Sequence, residues 1–225
     1  MDVAPGTMVV WSDLACPWAT LAVHRLHVER ARLGLEGRVV LDHRAFPLEL
    51  MNGRVTPRRV LAAEVPVVGG LAPAFGWQMW RAPESEWPVT TLLALEAVQA
   101  AKEQSLDASE ALDLGLRRAF FAESRCISMR HVVLEVAEAT AAVDVDALTK
   151  ALDDGRSRQD VIEQWHEAAD GPVKGSPHLF LPDGSDEPNP GITMHWEGEH
   201  GRGFPVVDAD DPSVYEELLG RAASA

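Results

Sequence analysis

The sequence predicts an α/β domain whose single sheet is assembled from both ends of the chain, with a helical lobe inserted between them. Three observations carry this expectation. Residues 1–46 read as strand, helix, strand; from Pro57 to about Asp170 apolar residues recur three or four apart; after Gly171-Pro172 the alternating period of a strand returns.

Residues 8–11, Met-Val-Val-Trp, form a short β-branched run ending at Ser12-Asp13, a strand meeting a loop. Pro17 stands at a first helical position, where its missing N–H goes unnoticed, and residues 18–33 contain no Gly or Pro. Val39, Leu41, His43 and Ala45 alternate with Val40, Asp42, Arg44 and Phe46 in a second strand stopped by Pro47. In the central block Leu112, Leu116, Ala119 and Phe120 form one helical stripe, and Met129, Val132, Val133, Val136 and Ala137 another. Further helices are expected at 90–104, 144–153 and 156–169, with Asp144 as N-cap and Gly155 as stop. Residues 178–181 and 192–196 read as strands of the sheet, Pro188-Asn189-Pro190-Gly191 as a rigid exposed loop, and Asp211-Pro212 as the start of a last helix bearing Val214, Leu218 and Leu219. The expected division is residues 1–56 with 171–225 for the sheet domain and 57–170 for the helical insertion, a ligand cleft lying between them.

The 225 residues carry a net charge of −15, with 46% hydrophobic and 24% charged residues, as an ordinary globular chain does. No apolar stretch approaches the ~18 residues of a membrane span, and the N-terminus lacks the features of a secretory signal, so a cytoplasmic protein without a membrane role is expected. The first 60 residues are nearly neutral and the last 45 strongly acidic. Such a surface repels phosphate backbones, which excludes nucleic acid as a partner. The histidines show no ligand spacing, so no metal site is expected, and His195 and His200 read as surface or strand-face residues.

Chemistry centres on Cys16. A sulfur between a strand and a helix N-terminus meets unpaired N–H groups and the positive end of the helix dipole, which favour a thiolate. One fast-alkylating thiol of depressed pKa is therefore expected.

The stretch Trp11-Ser12-Asp13-Leu14-Ala15-Cys16-Pro17-Trp18 resembles the S-D-x-x-C-P-W-C segment of the DsbA-like thioredoxin-fold family, in particular its FrnE and 2-hydroxychromene-2-carboxylate isomerase branch. Arg44-Ala45-Phe46-Pro47-Leu48-Glu49 is similar to that branch's second-strand ending, and Phe120–Ser128 to its helical-lobe loop. Gly175-Ser176-Pro177 holds the place of the cis-proline loop. The resemblance implies a thioredoxin-like sheet with a large inserted helical lobe, Cys16 as nucleophile, a cis Pro177 beside it, and a substrate groove formed by Pro17, Trp18, Ser176 and Pro177. The family's second cysteine, three residues after the first, is replaced by Ala19. Ala19 cannot resolve a mixed disulfide.

Three mechanisms stay open. Cys16 acts as a monothiol resolved by a second molecule of a low-molecular-weight thiol; Cys126 resolves it across the cleft; or a bound thiol cofactor serves a transferase or isomerase reaction, although those relatives carry Ser at the place of Cys16. A non-catalytic binding module is the alternative of another class. The partners expected are a small thiol or a peptide or protein disulfide, with no tightly bound cofactor; a homodimer is allowed by the resemblance. Trp77, Trp80 and Trp87, with Phe75 and Met79, read as a lid over the thiol or, with the greater weight, as a satellite core under a long loop. Arg38, Arg44, Arg54, Arg58 and Arg59 read mainly as solvated or paired, one or two of them being able to clamp a carboxylate.

Overall fold

The computed structural model describes residues 1–224. The β-α-β unit comprises β1 (Thr7–Ser12), α1 (Pro17–Leu33) and β2 (Val40–Ala45). β1 and β2 are parallel, in register from Thr7 opposite Val40 to Ser12 opposite Ala45. The chain then runs through α2 (Leu48–Met51), α3 (Arg58–Leu71), α4 (Leu92–Lys102), α5 (Leu106–Phe121), α6 (Arg130–Glu138), α7 (Val145–Asp154) and α8 (Arg156–Asp170). It returns as β3 (His178–Phe180), β4 (Asp186–Pro188), β5 (Ile192–Glu197), β6 (Phe204–Asp210) and α9 (Val214–Ser224).

The main sheet has the order β2-β1-β3-β4, with β3 antiparallel to both neighbours. This is a thioredoxin-like sheet. β1 is central, so residues from Met8 onward are buried on both faces. Met8 and Val10 pack with Leu26, Leu41, Leu179 and Leu219, which brings α1 and α9 onto one face. Val9 and Trp11 point the other way, toward Phe46, Ala168 and Phe180. The largest apolar cluster belongs to the helical block and reaches the sheet region only through Leu14, Ala15 and Ala45.

Three local expectations need correction, and β4 and α3 are elements the sequence did not announce. Residues 192–196 do form a strand, but β5 pairs with β6 in a separate two-stranded sheet rather than extending the main one. β4, Asp-Glu-Pro, carries no apolar alternation because it is an edge strand. The loop at Pro188–Gly191 is not exposed: Pro190 is buried and its carbonyl accepts the Tyr215 hydroxyl at 3.0 Å. Asp211 does not open α9 directly; its carboxylate caps a turn at Ser213 and the helix starts at Val214. α3 escaped notice because it contains Pro66 and Gly69-Gly70, helix breakers by composition. Pro66 lies on the exposed side of that helix, where an unpaired carbonyl can meet water.

Candidate active site

The sequence Asp13-Leu14-Ala15-Cys16 makes a tight turn from β1 into α1, closed by Cys16 N–H donating to the Asp13 carbonyl at 3.3 Å. Cys16 is the N-cap of α1. Its sulfur accepts the Ala19 N–H at 3.5 Å, and its thiol donates to the Ser176 carbonyl at 3.2 Å. The Ser176–Pro177 bond is cis. Ser176 joins the two loops a second time, its hydroxyl oxygen accepting the Asp13 N–H at 2.9 Å. His178 fixes this second loop from beneath: Nδ1 accepts the Lys174 N–H at 3.0 Å while Nε2 bonds Asp186 at 2.7 Å.

The turn is held by two fully buried charged side chains. Asp13 accepts from Ala15 N–H at 2.7 Å, Leu48 N–H at 2.9 Å and the Thr91 hydroxyl at 3.1 Å, tying β1 to the starts of α2 and α4. Burial nonetheless raises the Asp13 pKa above its ordinary value, against the pull of those donors. Arg117, with no exposed surface, reaches in from α5. Its guanidinium donates to the Asp13 carbonyl and to Thr20 Oγ1, both at 3.1 Å, and to Ser12 Oγ at 2.7 Å. Asp113 accepts from the same guanidinium at 2.6 and 3.1 Å, which neutralises it.

Cys16 lies on the wall of a cleft of about 510 Å³ between these loops and the α2–α3 segment. Pro17, Trp18 and Ser176 line it on the sheet side; Arg54, Val60 and Glu64 face them, with His200 at the rim. Glu64 is buried and its carboxylate accepts the Trp18 indole N–H at 3.0 Å. Burial pushes the Glu64 pKa up to about 7, the indole donor offsetting only part of it.

The expectation of a depressed thiol pKa is overturned. Cys16 is only 5% exposed and belongs to a buried apolar cluster with Trp18, Leu21, Val68 and Ile192. Burial pushes its pKa up to about 11, and the nearby Glu64 and Asp13 carboxylates push the same way. The Ser176 side chain and the Ala19 N–H act in the opposite direction and are outweighed. The resting thiol is neutral.

Other anticipated residues fall into place unevenly. Trp18 lines the cleft as expected but is buried, its indole N–H donating to Glu64. Pro177 is buried behind the cleft, its carbonyl accepting the Asn189 N–H at 3.0 Å. Cys126 is a buried free cysteine in the turn between α5 and α6, and it is not among the residues lining the cleft. The tryptophans form no lid: Trp77 packs on Phe75 and Phe121, and Trp80 and Trp87 on Phe120, in the helical core. Of the five arginines only Arg54 lines the cleft. Arg44 pairs with Asp42 and Glu167, Arg58 with Glu84, and Arg38 donates to the Ala223 carbonyl. Glu64, Arg117 and the cleft position of His200 were missed. Sequence gives no reason to prefer one Glu or Arg of a helical block, although Arg117 four residues after Asp113 is a pairing signal.

The architecture matches solved structures over nearly its full length. A probable DsbA oxidoreductase from Streptomyces coelicolor is 22% identical with a TM-score of 0.65, covering 97% of this chain and 90% of the other. The cytosolic disulfide reductase DsbM from Pseudomonas aeruginosa is 15% identical with a TM-score of 0.60, covering 97% and 95%. A 2-hydroxychromene-2-carboxylate isomerase is 18% identical with a TM-score of 0.59, covering 80% and 87%. At these identities the likeness is one of fold. No curated protein sequence matches. The family model of the DsbA-like thioredoxin domain matches residues 7–201, from the first residue of β1 to beyond β5. The chain belongs to the DsbA-like thioredoxin domain family.

Proposed function

We propose that the chain is a cytoplasmic monothiol thiol-disulfide oxidoreductase, nearest in kind to the FrnE and 2-hydroxychromene-2-carboxylate isomerase branch, working through a mixed disulfide on Cys16. One observation carries this reading: the Cys16 sulfur caps a helix, 3.2 Å from the Ser176 carbonyl, on the wall of a cleft large enough for a substrate. The helical insertion, 57–170, supplies the opposite wall through α3.

In the first step Cys16 passes its proton to water in the cleft and attacks, as the thiolate, one sulfur of a substrate disulfide, forming the Cys16 mixed disulfide and releasing the other half as a thiolate that takes up a proton. In the second, the thiolate of a small thiol attacks the substrate-side sulfur, giving a new disulfide and returning Cys16. The small thiol is a co-reactant, not a tightly held cofactor. Ala19 has no sulfur to compete with it, and Cys126 stands outside the cleft lining. Cys16 is regenerated in each cycle, so the direction of exchange is set by the substrate disulfide and the small thiol.

Trapping followed by mass spectrometry tests this. Exposure to a small disulfide is expected to leave one adduct on Cys16, discharged by added thiol; Cys126→Ser leaves the turnover unchanged and Cys16→Ser abolishes it. An adduct resolved at the same rate without added thiol sinks the monothiol mechanism. A second reading, a thiol-ligand binding groove without turnover, is favoured by the same neutral buried sulfur. It is established instead if ligand binding survives Cys16→Ser and no adduct forms.

A further inference from the structure

The loop between α8 and β3 carries Ser176 to the thiol, and little of its hold comes from its own backbone. Among the described residues, 172–176 make no backbone–backbone hydrogen bond. Side chains hold them instead. His178 Nδ1 accepts the Lys174 N–H, and Asp186 accepts from His178 Nε2 at 2.7 Å and from the Lys174 ammonium at 3.1 Å. These partners fix the state of the ring: a carboxylate only accepts, so Nε2 carries the hydrogen, and a backbone N–H only donates, so Nδ1 must offer its lone pair. The ring itself is fixed. It is fully buried, its centre lies 4.3 Å from that of Phe180, and its strand is bonded on both sides, opposite Trp11 in β1 and Pro188 in β4. A second proton, on Nδ1, would set one donor against another 3.0 Å away, and the loop rather than the strand is the part able to yield.

We propose that His178 is a positioning residue for Cys16 that works only in its neutral form: a proton on Nδ1 releases the Lys174 N–H to water, loosens the 172–177 loop and takes Ser176 out of line with the sulfur. The inference deepens, and rests on, the exchange chemistry proposed for Cys16. The two ties of Ser176, its hydroxyl oxygen to the Asp13 N–H and its carbonyl to the thiol, are the fixed edge against which an incoming disulfide is aligned. A disulfide, substituted on both sulfurs, needs that alignment more than a small alkylating agent does. The charges facing the ring come from two elements. Asp186 and Glu187 on β4 favour its protonation and Lys174 on the loop opposes it, while the residue paired with it on β1, Trp11, is uncharged. Burial outweighs the carboxylates and holds the His178 pKa below the ordinary 6.5, so exchange is intact at neutral pH and impaired in mild acid.

Two reagents that carry no titrating group, hydroxyethyl disulfide and iodoacetamide, test this between about pH 4.5 and about pH 8. Both consume the same Cys16 thiolate, so the ratio of mixed-disulfide formation to alkylation cancels the amount of thiolate present, and with it the charge on Glu64. The ratio is expected to be level at neutral pH and to fall by about fivefold or more as His178 takes its proton. His178→Asn, whose side-chain oxygen stands near the place of Nδ1 and accepts the Lys174 N–H at every pH, keeps the ratio level throughout. His178→Gln, with a donor for Asp186 but no acceptor for Lys174, shows the low ratio even at neutral pH. In the unaltered chain NMR reads the loop directly: the Lys174 amide, corrected for the intrinsic pH dependence of exchange, loses about tenfold in protection with the same midpoint as the His178 ring nitrogens. A ring that stays neutral to about pH 4.5 overturns the inference, as does a Lys174 amide still protected once the ring is charged, or an acid fall in the ratio that survives His178→Asn. If hydroxyethyl disulfide leaves no adduct at any pH, the exchange chemistry of Cys16 falls and this inference with it; an adduct formed with a level ratio overturns the inference alone.

Discussion

Two buried carboxylates flank Cys16, and they are held in opposite ways. Asp13, on the loop side, accepts three hydrogen bonds from three different segments, and its backbone carbonyl takes two more, from the Cys16 N–H and from Arg117. Glu64, on the α3 side, accepts one, from the Trp18 indole, and faces an open cleft. Burial raises the pKa of both. The difference lies in what protonation does: at Asp13 it would disturb a network that defines the loop, whereas at Glu64 it changes the charge seen by the thiol and little else. The loop side is built for shape and the α3 side for electrostatics.

The most damaging way to break the loop side is Arg117→Met. The change leaves Asp113 as an uncompensated buried charge and takes the donor from Ser12 Oγ, Thr20 Oγ1 and the Asp13 carbonyl at once. Removal of one partner from a buried ionic network costs about 3–5 kcal/mol, so a loss of that size in urea unfolding is expected. A loss below about 1 kcal/mol would show that the network is not what fixes the turn.

Glu64→Gln sharpens the comparison because its sign is reversed. The folded pKa of about 7 lies above the ordinary 4.5, so the folded chain binds the extra proton. The stability this contributes is complete below about 4.5 and is lost as pH rises through about 7. Glutamine keeps an acceptor for Trp18 and removes the charge. The variant is expected to be more stable than the parent by about 2–3 kcal/mol at pH 8–9, with the pH-dependent part of that gain gone at pH 4. It also removes the carboxylate that raises the Cys16 pKa most, so iodoacetamide should alkylate Cys16 several-fold faster at pH 8. A slower reaction, or stability independent of pH, refutes the assignment of Glu64 as an electrostatic brake.

The same contrast explains what could be read in advance. The β-α-β unit was legible because its periodicities are local: alternation in β2, an uninterrupted run in α1, Pro17 at the first helical turn. Asp144 and Gly155 were legible as caps because capping is a property of residues a few places apart, and they cap α7 as expected. Cys16 was found for the same reason, since a helix N-cap is a local event. Its protonation state was misread because desolvation is not local. The helix terminus was visible in the sequence; the buried cluster that brings Val68 from α3 and Ile192 from β5 together with Cys16 was not. Glu64 escaped for a related cause, lying in a helix hidden by Pro66, and Arg117 acts on a turn about a hundred residues away. The role of Ser176 as a double tie between the loops likewise depends on contacts 160 and 163 residues apart.

The smallest expected effect is the most exacting check on the loop side. Thr91→Val keeps the shape of the side chain and deletes only the hydroxyl that donates to Asp13 Oδ2 at 3.1 Å. If Asp13 is fixed redundantly, by the Ala15 and Leu48 N–H groups as well, losing one of three donors costs about 1 kcal/mol. For a chain of this length that lowers Tm by about 2–4 °C. Alkylation of Cys16 should then change by less than about twofold, since the turn keeps its geometry and Thr91 carries no charge. A cost above about 3 kcal/mol would mean that Asp13 rests on a single donor, as Glu64 does. In that event the two flanks would not differ in kind, and the distinction between a side built for shape and one built for charge would fail.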